Sequence, residues 1–355
     1  MARTEGQRLW LAGLLVAAVA AAAESPQSFI AQMDEALRNR NYQGVFVHEH
    51  GGQSETLRIT HRVDGGQVSE RIVSLDGSGR EYIRRGSQIT SYLPDQNLVV
   101  VDTTPDAGLL LSELRVPDLA NSGQYRLREL AATRTSGRQA RVIAVEPLDA
   151  MRYGYRLWID EVSGMPLKTQ LLSARGEVVE QLIFTDLRLP ARIPDSELQP
   201  AVDAKGYRWL RRGVAAGTDV GIPADSAWVA AQLPPGFRLT ARSVQVLPGT
   251  SGPVTHLVYS DGLASVSVFV ESAIGEPATG GVSQATLAVT RIGSTSAVST
   301  TVQGHRVTAI GEVPPETVRA IAASLRAGAE PVGRGLPDMS PVAARPATGR
   351  NFPHP

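Results

Sequence analysis

Three of the chain's six histidines lie close together, at positions 48, 50 and 61. Imidazole nitrogens bind transition metals and act as general bases, so these residues are the first candidates for chemistry. His48 and His50 are two positions apart, which places them on one face if they lie on a strand. No His-Glu-x-x-His motif and no supporting pattern of acidic residues follows. His61 is in phase with Leu57 and Ile59, so we interpret it as a packed or cavity-wall histidine and predict no metal site.

Other catalytic patterns are missing from the sequence. The chain has no cysteine, which excludes thiol catalysis, disulfides and cysteine-ligated metals. It has no Gly-x-Ser-x-Gly nucleophile elbow, and the glycine-rich segment Gly275–Gly281 lacks the lysine of a phosphate-binding loop. We therefore predict no catalytic residue and no cofactor. An exported hydrolase that uses His48, His50 or His61 is kept as an alternative interpretation.

The chain begins with the succession of parts that is typical of a secretory signal peptide. Arg3 and Arg8 are followed by small and apolar residues, Leu9–Ala20 and Ala21–Ala23. The apolar run is short for a transmembrane helix, which needs about 20 residues. We predict that residues 1–23 are a signal peptide cleaved near Ala23 and that the mature protein is exported; an uncleaved anchor is the alternative.

The elements that must position any site are mostly strands. Ser25-Pro26 is a capping residue followed by proline, which predicts the start of a helix that ends near Asn39–Asn41. Segments with a two-residue hydrophobic period follow, such as Glu55–Val63, separated by turns such as Asp64-Gly65-Gly66. Their short connections favour antiparallel pairing. We predict about ten strands in a first domain, residues 24–189, in a sandwich or barrel.

The remaining segments divide the chain further. A short helix is predicted at Ala107–Leu114, which would act as a plug or as a surface cover over a sheet edge. Proline-rich residues 190–225 are predicted to form a linker and hinge. Residues 226–326 combine strands with a helix after Pro314-Pro315, which predicts a smaller α+β domain. Residues 327–355 lack an apolar period and are predicted to be disordered.

Net charge and aromatic content favour a binder of an amphipathic anion over a general nucleic-acid binder. The formal net charge of +0 argues against a general nucleic-acid binder. Aromatic residues and arginines accompany the predicted strands, which fits a barrel wall with basic groups at its mouth, suited to an amphipathic anion. Ordinary core aromatics with solvated arginines are the alternative.

Several long segments, in order, resemble the MucB/RseB family of periplasmic negative regulators of the envelope-stress sigma factor. They are "YQGVFVHEHGGQSETLRITHRVDGG", "SYLPDQNLVVV", "YGYRLWIDEVSGMPLKTQLLSARGEVVEQLIFTDLRL" and "LPPGFRLTARS". The resemblance spans residues 25–325. It implies a periplasmic location and a first domain like the carriers LolA and LolB, a half-open antiparallel β-barrel with plugging helices. It also implies a smaller domain that binds the periplasmic part of an RseA/MucA-type anti-sigma factor and protects it from site-1 proteolysis. Lipid or mislocalised lipopolysaccharide would loosen this grip.

The family has no short motif to transfer, so individual site residues are expectations from phase and composition. A lipid groove would be lined by the residues Leu57, Ile59, Val63, Tyr82, Tyr92, Leu157 and Ile159. Partner contacts are expected at Arg211, Arg212, Phe237, Tyr259 and Phe269. A periplasmic lipid or lipoprotein carrier without a regulatory partner is the alternative function, and homo-oligomerisation is left open.

Overall fold

A computed structural model of the protein describes residues 25–77, 79–103, 123–212, 228–246, 250, 252–271 and 289–327. The predicted signal peptide, the predicted helix Ala107–Leu114 and the predicted tail beyond residue 327 lie outside these residues. The chain divides into two compact units. The first contains residues 1–100, 104–148 and 154–210, and the second contains residues 101–103, 149–153 and 211–355. No helix within the described residues is long and apolar enough to cross a membrane.

The first unit begins with helix α1, Pro26–Asn39. Its N-cap is Ser25, whose hydroxyl oxygen accepts a hydrogen bond from the N–H of Ser28, as the capping pattern of the sequence predicts. Apolar residues at helical spacing are buried along one side of α1, among them Phe29, Met33 and Leu37. The helix packs against strands β7 (Tyr125–Thr135) and β8 (Arg138–Pro147), so its apolar side covers part of a sheet.

That sheet has twelve strands in the spatial order β12-β6-β5-β4-β3-β2-β1-β11-β10-β9-β8-β7. Every pair with a resolved register is antiparallel, as the short turns predict. The sheet is not closed, because its two terminal strands β12 and β7 are not paired with each other. Besides β7 and β8, its strands are β1 (Tyr42–His50), β2 (Gln53–Asp64), β3 (Gln67–Ser74), β4 (Glu81–Arg85), β5 (Gln88–Leu93), β6 (Leu98–Thr103), β9 (Gly154–Asp160), β10 (Pro166–Leu172), β11 (Val178–Arg188) and β12 (Arg208–Arg212).

The two faces of this sheet carry different structure. Directly paired residues share a face, so the register assigns each side chain to one side. The face that α1 contacts, where the Arg141 guanidinium lies 5.5 Å from the centre of the Phe29 ring, is called the helix face. Gly44 belongs to it, and a Cβ there would lie 2.7 Å from the Phe184 ring and 2.6 Å from the carbonyl oxygen of Asp186. Glycine is therefore required where the Phe184 ring packs over β1.

Residues 190–201, the first part of the predicted linker 190–225, cross the other face and are called the strap. Arg62 on β2 donates to Asp195 Oδ1 at 2.5 Å and to the Ile193 carbonyl oxygen at 3.2 Å. Glu81 on β4 accepts from the N–H of Ala201 at 3.1 Å. Both side chains point away from the helix face by the register of β2 to β4. The prolines of this segment therefore mark a chain that is fixed to its sheet up to residue 201.

The second unit is a six-stranded antiparallel sheet with one helix. The spatial order is β14-β15-β16-β19-β18-β17, and a two-stranded ladder joins β13 to β20. Helix α2, Pro315–Ser324, packs on β18 and β19 and buries Val318, Ile321 and Ala322. The predicted Asp261-Gly262 turn joins β15 and β16, and α2 begins at the predicted proline pair. The strands are β13 (Trp228–Ala230), β14 (Arg238–Val246), β15 (Pro253–Ser260), β16 (Ser265–Glu271), β17 (Val289–Ile292), β18 (Thr295–Val302), β19 (His305–Gly311) and β20 (Leu325–Ala327). A mostly β protein with a smaller α+β domain is confirmed.

Candidate ligand and partner surfaces

Six of the seven predicted groove residues lie on the helix face. Cross-strand pairing joins Ile59 to Ile72 and Ile72 to Tyr82, which places these side chains in one row. On the other half of the sheet, Leu157 pairs with Thr169, which pairs with Leu182 opposite His48. The two-residue alternation then places the remaining predicted wall residues, Leu57, Val63 and Ile159, on the same face.

Tyr92 lies on the opposite face, and its assignment to the wall is corrected. Tyr92 pairs with Glu81, and Glu81 pairs with Val73, whereas the neighbouring residue Tyr82 pairs with Ile72. The hydrophobic period of β5 is weak, because Gln88–Leu93 contains no residue that is fully buried. Aromatic character alone therefore could not set the phase of this strand.

The aliphatic part of the wall is already covered by protein. Leu57, Ile59, Leu157 and Ile159 are 3%, 0%, 0% and 1% exposed, respectively. Val63 and Tyr82 are half-buried. An acyl ligand would contact the four aliphatic side chains only after the packing over the helix face opens.

A buried polar network lies within this apolar wall. His61 Nδ1 is 2.8 Å from Glu70 Oε1, and Arg84 donates to the other carboxylate oxygen at 3.3 Å. The ring of His61 stacks on Tyr42 with a centroid distance of 4.4 Å and an angle of 8°. We call these four residues the His61 network. Burial, together with the charge of Glu70, raises the pKa of Tyr42 well above its usual value. His61 is 2% exposed and its Nε2 has no hydrogen-bond partner among the described residues.

The three candidate histidines do not form one site. His48 Nε2 lies 2.7 Å from Glu180 Oε1, and the rings of His48 and His50 are 4.6 Å apart. His61 is instead part of the separate network on β2, β3 and β4, which confirms that it is packed and hydrogen-bonded. No group of three or more histidine, aspartate or glutamate residues in the described part of the chain could hold a metal ion.

A polar cavity of about 350 Å³ lies between the sheet and the strap. Its floor is formed by β1, β2 and β11 on the face opposite the predicted groove, and Glu197 of the strap lines its edge. Arg58 and Arg188 are the cations of this lining, and Asp186 and Glu197 are the anions. This mixed lining differs from the apolar surface that an acyl chain requires.

The second unit separates the predicted partner residues into buried and accessible ones. Phe237 and Tyr259 are 6% and 2% exposed and belong to the hydrophobic core under α2. The hydroxyl oxygen of Tyr259 accepts a hydrogen bond from the N–H of Ala230 at 3.0 Å, which is a structural role. Their side chains cannot contact a partner while this core is intact. The error arose because strand residues alternate between core and surface, and the sequence did not define which face α2 covers.

Phe269 lies on the opposite face of the six-stranded sheet. It is half-buried and pairs with His256, and the two rings are stacked with a centroid distance of 4.4 Å and an angle of 4°. Burial lowers the pKa of His256. Phe269 therefore remains a candidate contact, whereas the other two aromatic candidates do not.

The two predicted partner arginines, Arg211 and Arg212, end strand β12 at the edge of the large sheet. Arg211 is exposed. The adjacent Trp209 is 51% exposed and Leu210 is 41% exposed.

Sequence reasoning missed a fully buried arginine, Arg152. Arg152 is 0% exposed and donates to Asp149 Oδ1 at 2.9 Å, to the Pro235 carbonyl oxygen at 2.6 Å and to the carboxylate of Asp261. We call these residues the Arg152 cluster; the Phe237 ring centre lies 5.3 Å from its guanidinium carbon. All belong to the second unit, including the short segment Asp149–Tyr153 between β8 and β9. Asp261 follows Arg152 by 109 positions, so no local pattern could have predicted the pair.

An open twelve-stranded sheet followed by a six-stranded α+β unit defines a two-domain, mostly β protein whose polar clusters lie inside its domains. The sequence profile of the MucB/RseB N-terminal domain matches residues 25–202, and that of the MucB/RseB C-terminal domain matches residues 223–326. The chain belongs to the MucB/RseB family. The first match includes the strap, in agreement with the ordered strap of the structure.

Similar proteins support this assignment along nearly the whole chain. The sigma factor AlgU regulatory protein MucB of Pseudomonas aeruginosa is 35% identical over 326 residues, which covers 90% of this chain and 96% of that protein. The sigma-E factor regulatory protein RseB of Escherichia coli K12 is 29% identical over 338 residues, covering 91% and 99%. The solved complex of Pseudomonas aeruginosa MucA and MucB matches with a TM-score of 0.65 and 31% identity, covering 85% of this chain and 98% of the matched chain. A crystal structure of MucB bound to MucA(peri) matches with a TM-score of 0.64 and 32% identity, covering 85% and 99%.

Proposed function

We propose that this protein is a periplasmic negative regulator of a sigma-E-type envelope stress response. It binds the periplasmic region of an RseA/MucA-type anti-sigma factor and protects that region from site-1 proteolysis. The main support is that both family domains match this chain in the same order. The relative MucB is named a sigma factor regulatory protein, and it was solved in complex with MucA. The relative MucB was crystallised in complex with MucA(peri), so the proposal includes export and cleavage of the N-terminal segment near Ala23.

A lipid or lipopolysaccharide ligand is the second part of the proposal. The helix face supplies an aliphatic wall in Leu57, Ile59, Leu157 and Ile159, and each methylene group that a ligand buries there contributes about 0.8 kcal/mol. Because these side chains are covered, the ligand selects a state in which the packing over the helix face is open. If that state binds the anti-sigma factor less tightly, the coupling is reciprocal and typically about 1–3 kcal/mol.

The test is a binding titration of the mature protein with the periplasmic region of the anti-sigma factor from the same organism. We expect saturable binding, and a loss of affinity when lipopolysaccharide is added. Phe269→Ala removes a half-buried candidate contact and should weaken binding, whereas Ile292→Ala, at a 74% exposed position of β17, serves as the control. Absence of binding by the folded protein would contradict the regulatory function. Lipid binding without partner binding would favour the carrier interpretation.

A further inference from the structure

Strand β12, with the sequence Arg-Trp-Leu-Arg-Arg, is a terminal strand of the large sheet and has a described neighbour, β6, on one side only. The N–H of Arg208 donates to the carbonyl oxygen of Asn97 at 2.9 Å, so it points toward β6. Backbone N–H groups alternate sides along a strand, and the N–H of Trp209 therefore points toward the outer edge. Among the described residues, no strand pairs with that edge.

The side chains of β12 make this edge unusual. Natural proteins protect edge strands with short length, charge, proline or a covering element, because an unpaired edge can add another strand. Here Trp209 and Leu210 are 51% and 41% exposed, which leaves apolar surface on both faces of the strand. The Trp209 ring packs edge-on against Tyr92 at a centroid distance of 6.4 Å, which holds the strand in place. The strand is thus presented as a formed edge.

The charge of the strand selects the type of occupant. Arg208 and Arg211 are exposed, and neither has an ion-pair partner in the part of the chain that the structure describes. The strand contains no acidic residue. A second copy of β12 would place arginines opposite arginines, which is unfavourable, whereas carboxylates opposite them are favourable.

We propose that the outer edge of β12 is a strand-addition site for an extended acidic peptide. Main-chain hydrogen bonds to the outer edge supply the binding. The arginines select acidic residues at the positions opposite them, and Trp209 and Leu210 select apolar residues. The natural source of that peptide would be a segment of the anti-sigma factor, so this identification rests on the proposed function. The new element is that this segment binds as an added strand.

Two substitutions at Trp209 distinguish the contribution of the backbone to peptide binding from that of the side chain. Trp209→Val keeps the outward N–H and strand propensity, whereas Trp209→Pro also removes this donor and blocks the edge. Neither substitution removes the hydrogen bond from Arg208 to Asn97. The probes are the periplasmic region of the anti-sigma factor, a synthetic glutamate peptide that contains the order Glu-Glu-Val-Val-Glu, and a control lysine peptide that contains the order Lys-Lys-Val-Val-Lys. Affinity is measured for the mature protein and both variants, and amide hydrogen exchange of residues 205–212 is measured in the unmodified protein.

We expect the anti-sigma region and the glutamate peptide to slow exchange at residues 205–212, and the lysine peptide to leave it unchanged. We expect Trp209→Pro to bind at least about tenfold more weakly than Trp209→Val. Binding of the anti-sigma region with unchanged exchange would overturn strand addition and leave the proposed function intact. Protection by the glutamate peptide without binding of the anti-sigma region would support the edge site and contradict the proposed function. Equal protection by the lysine peptide, or no protection by any probe, would overturn the inference even if the proline variant did not fold.

Discussion

The His61 network of the first unit and the Arg152 cluster of the second unit both bury charge, but they differ in completeness. Every guanidinium nitrogen of Arg152 donates to a carboxylate or carbonyl oxygen of the cluster. In the His61 network, Arg84 is 16% exposed at its side chain, and His61 Nε2 lacks a partner among the described residues. The Arg152 cluster is therefore a closed structural element, whereas the His61 network reaches the surface through Arg84 and contains a ring nitrogen with no partner in the part of the chain that the structure describes. A closed cluster should tolerate substitution less.

The largest loss of folding stability is therefore expected for Arg152→Met. The substitution removes the guanidinium group that donates to the carboxylate of Asp261, which is 4% exposed. Breaking a buried ion pair by removing one partner costs about 3–5 kcal/mol. Urea unfolding of the second unit, followed by pulsed amide hydrogen exchange, measures the loss.

Arg128→Met is the matched control for this substitution. Arg128 pairs with Glu146 at 2.5 Å, but the two side chains are 55% and 39% exposed. An exposed pair contributes about 0–1 kcal/mol, so the control should change stability little. Equal losses in the two variants would show that the Arg152 cluster is not the closed element that its geometry indicates.

The next effect is expected for His61→Phe. Phenylalanine keeps a ring to stack on Tyr42 but leaves Glu70 Oε1 without the donor at 2.8 Å. An unsatisfied buried acceptor costs about 1–3 kcal/mol, which urea unfolding of the first unit would detect. Adding Glu70→Leu removes the unsatisfied carboxylate, so the double variant should recover part of the loss. If the single variant were as stable as the unmodified protein, Glu70 would not depend on His61.

The contrast between the two clusters also explains which features the sequence could predict. His61 was predicted to be packed because it shares the phase of Leu57 and Ile59, and local periodicity determined its burial. The N-cap at Ser25 and the turn at Asp261-Gly262 were likewise predicted from local residue chemistry. Such features depend on neighbours within a few positions.

Features that depend on distant partners were not predicted. Arg152 lies in a short connection without a periodic pattern, and its burial depends on Asp261 in another part of the chain. The strap was interpreted as linker because prolines mark both linkers and ordered chain, and the contacts of Arg62 and Glu81 with it span 133 and 120 positions. The phase of Tyr92 and the core positions of Phe237 and Tyr259 required the register of the sheets.

A smaller effect is expected for Glu70→Gln. The amide keeps the shape of the side chain and can still hydrogen-bond His61, but it removes the charge that Arg84 contacts at 3.3 Å. Arg84 also donates to the Gly86 carbonyl oxygen at 2.9 Å, so we expect a loss of about 1 kcal/mol in urea unfolding. Glu129→Gln, in an exposed pair with Arg141, is the control. A loss as large as that of Arg152→Met would remove the distinction between the two clusters.

The smallest effect is expected from pH, through His256 of the second unit. Burial lowers the pKa of His256 in the folded protein below its usual value of 6.5, so the unfolded chain binds the proton more tightly. The second unit should therefore keep this contribution to stability above about pH 6.5 and lose it as the pH falls through the folded-state pKa. Across the neighbouring strands, His256 pairs with the stacked Phe269, and Phe269 pairs with Thr308. Neither Phe269 nor Thr308 titrates in this range. Urea midpoints of the second unit between pH 5 and pH 8 measure the dependence, and His256→Gln should reduce its slope in this range. An unchanged slope in His256→Gln would assign the acid sensitivity to groups other than this buried ring.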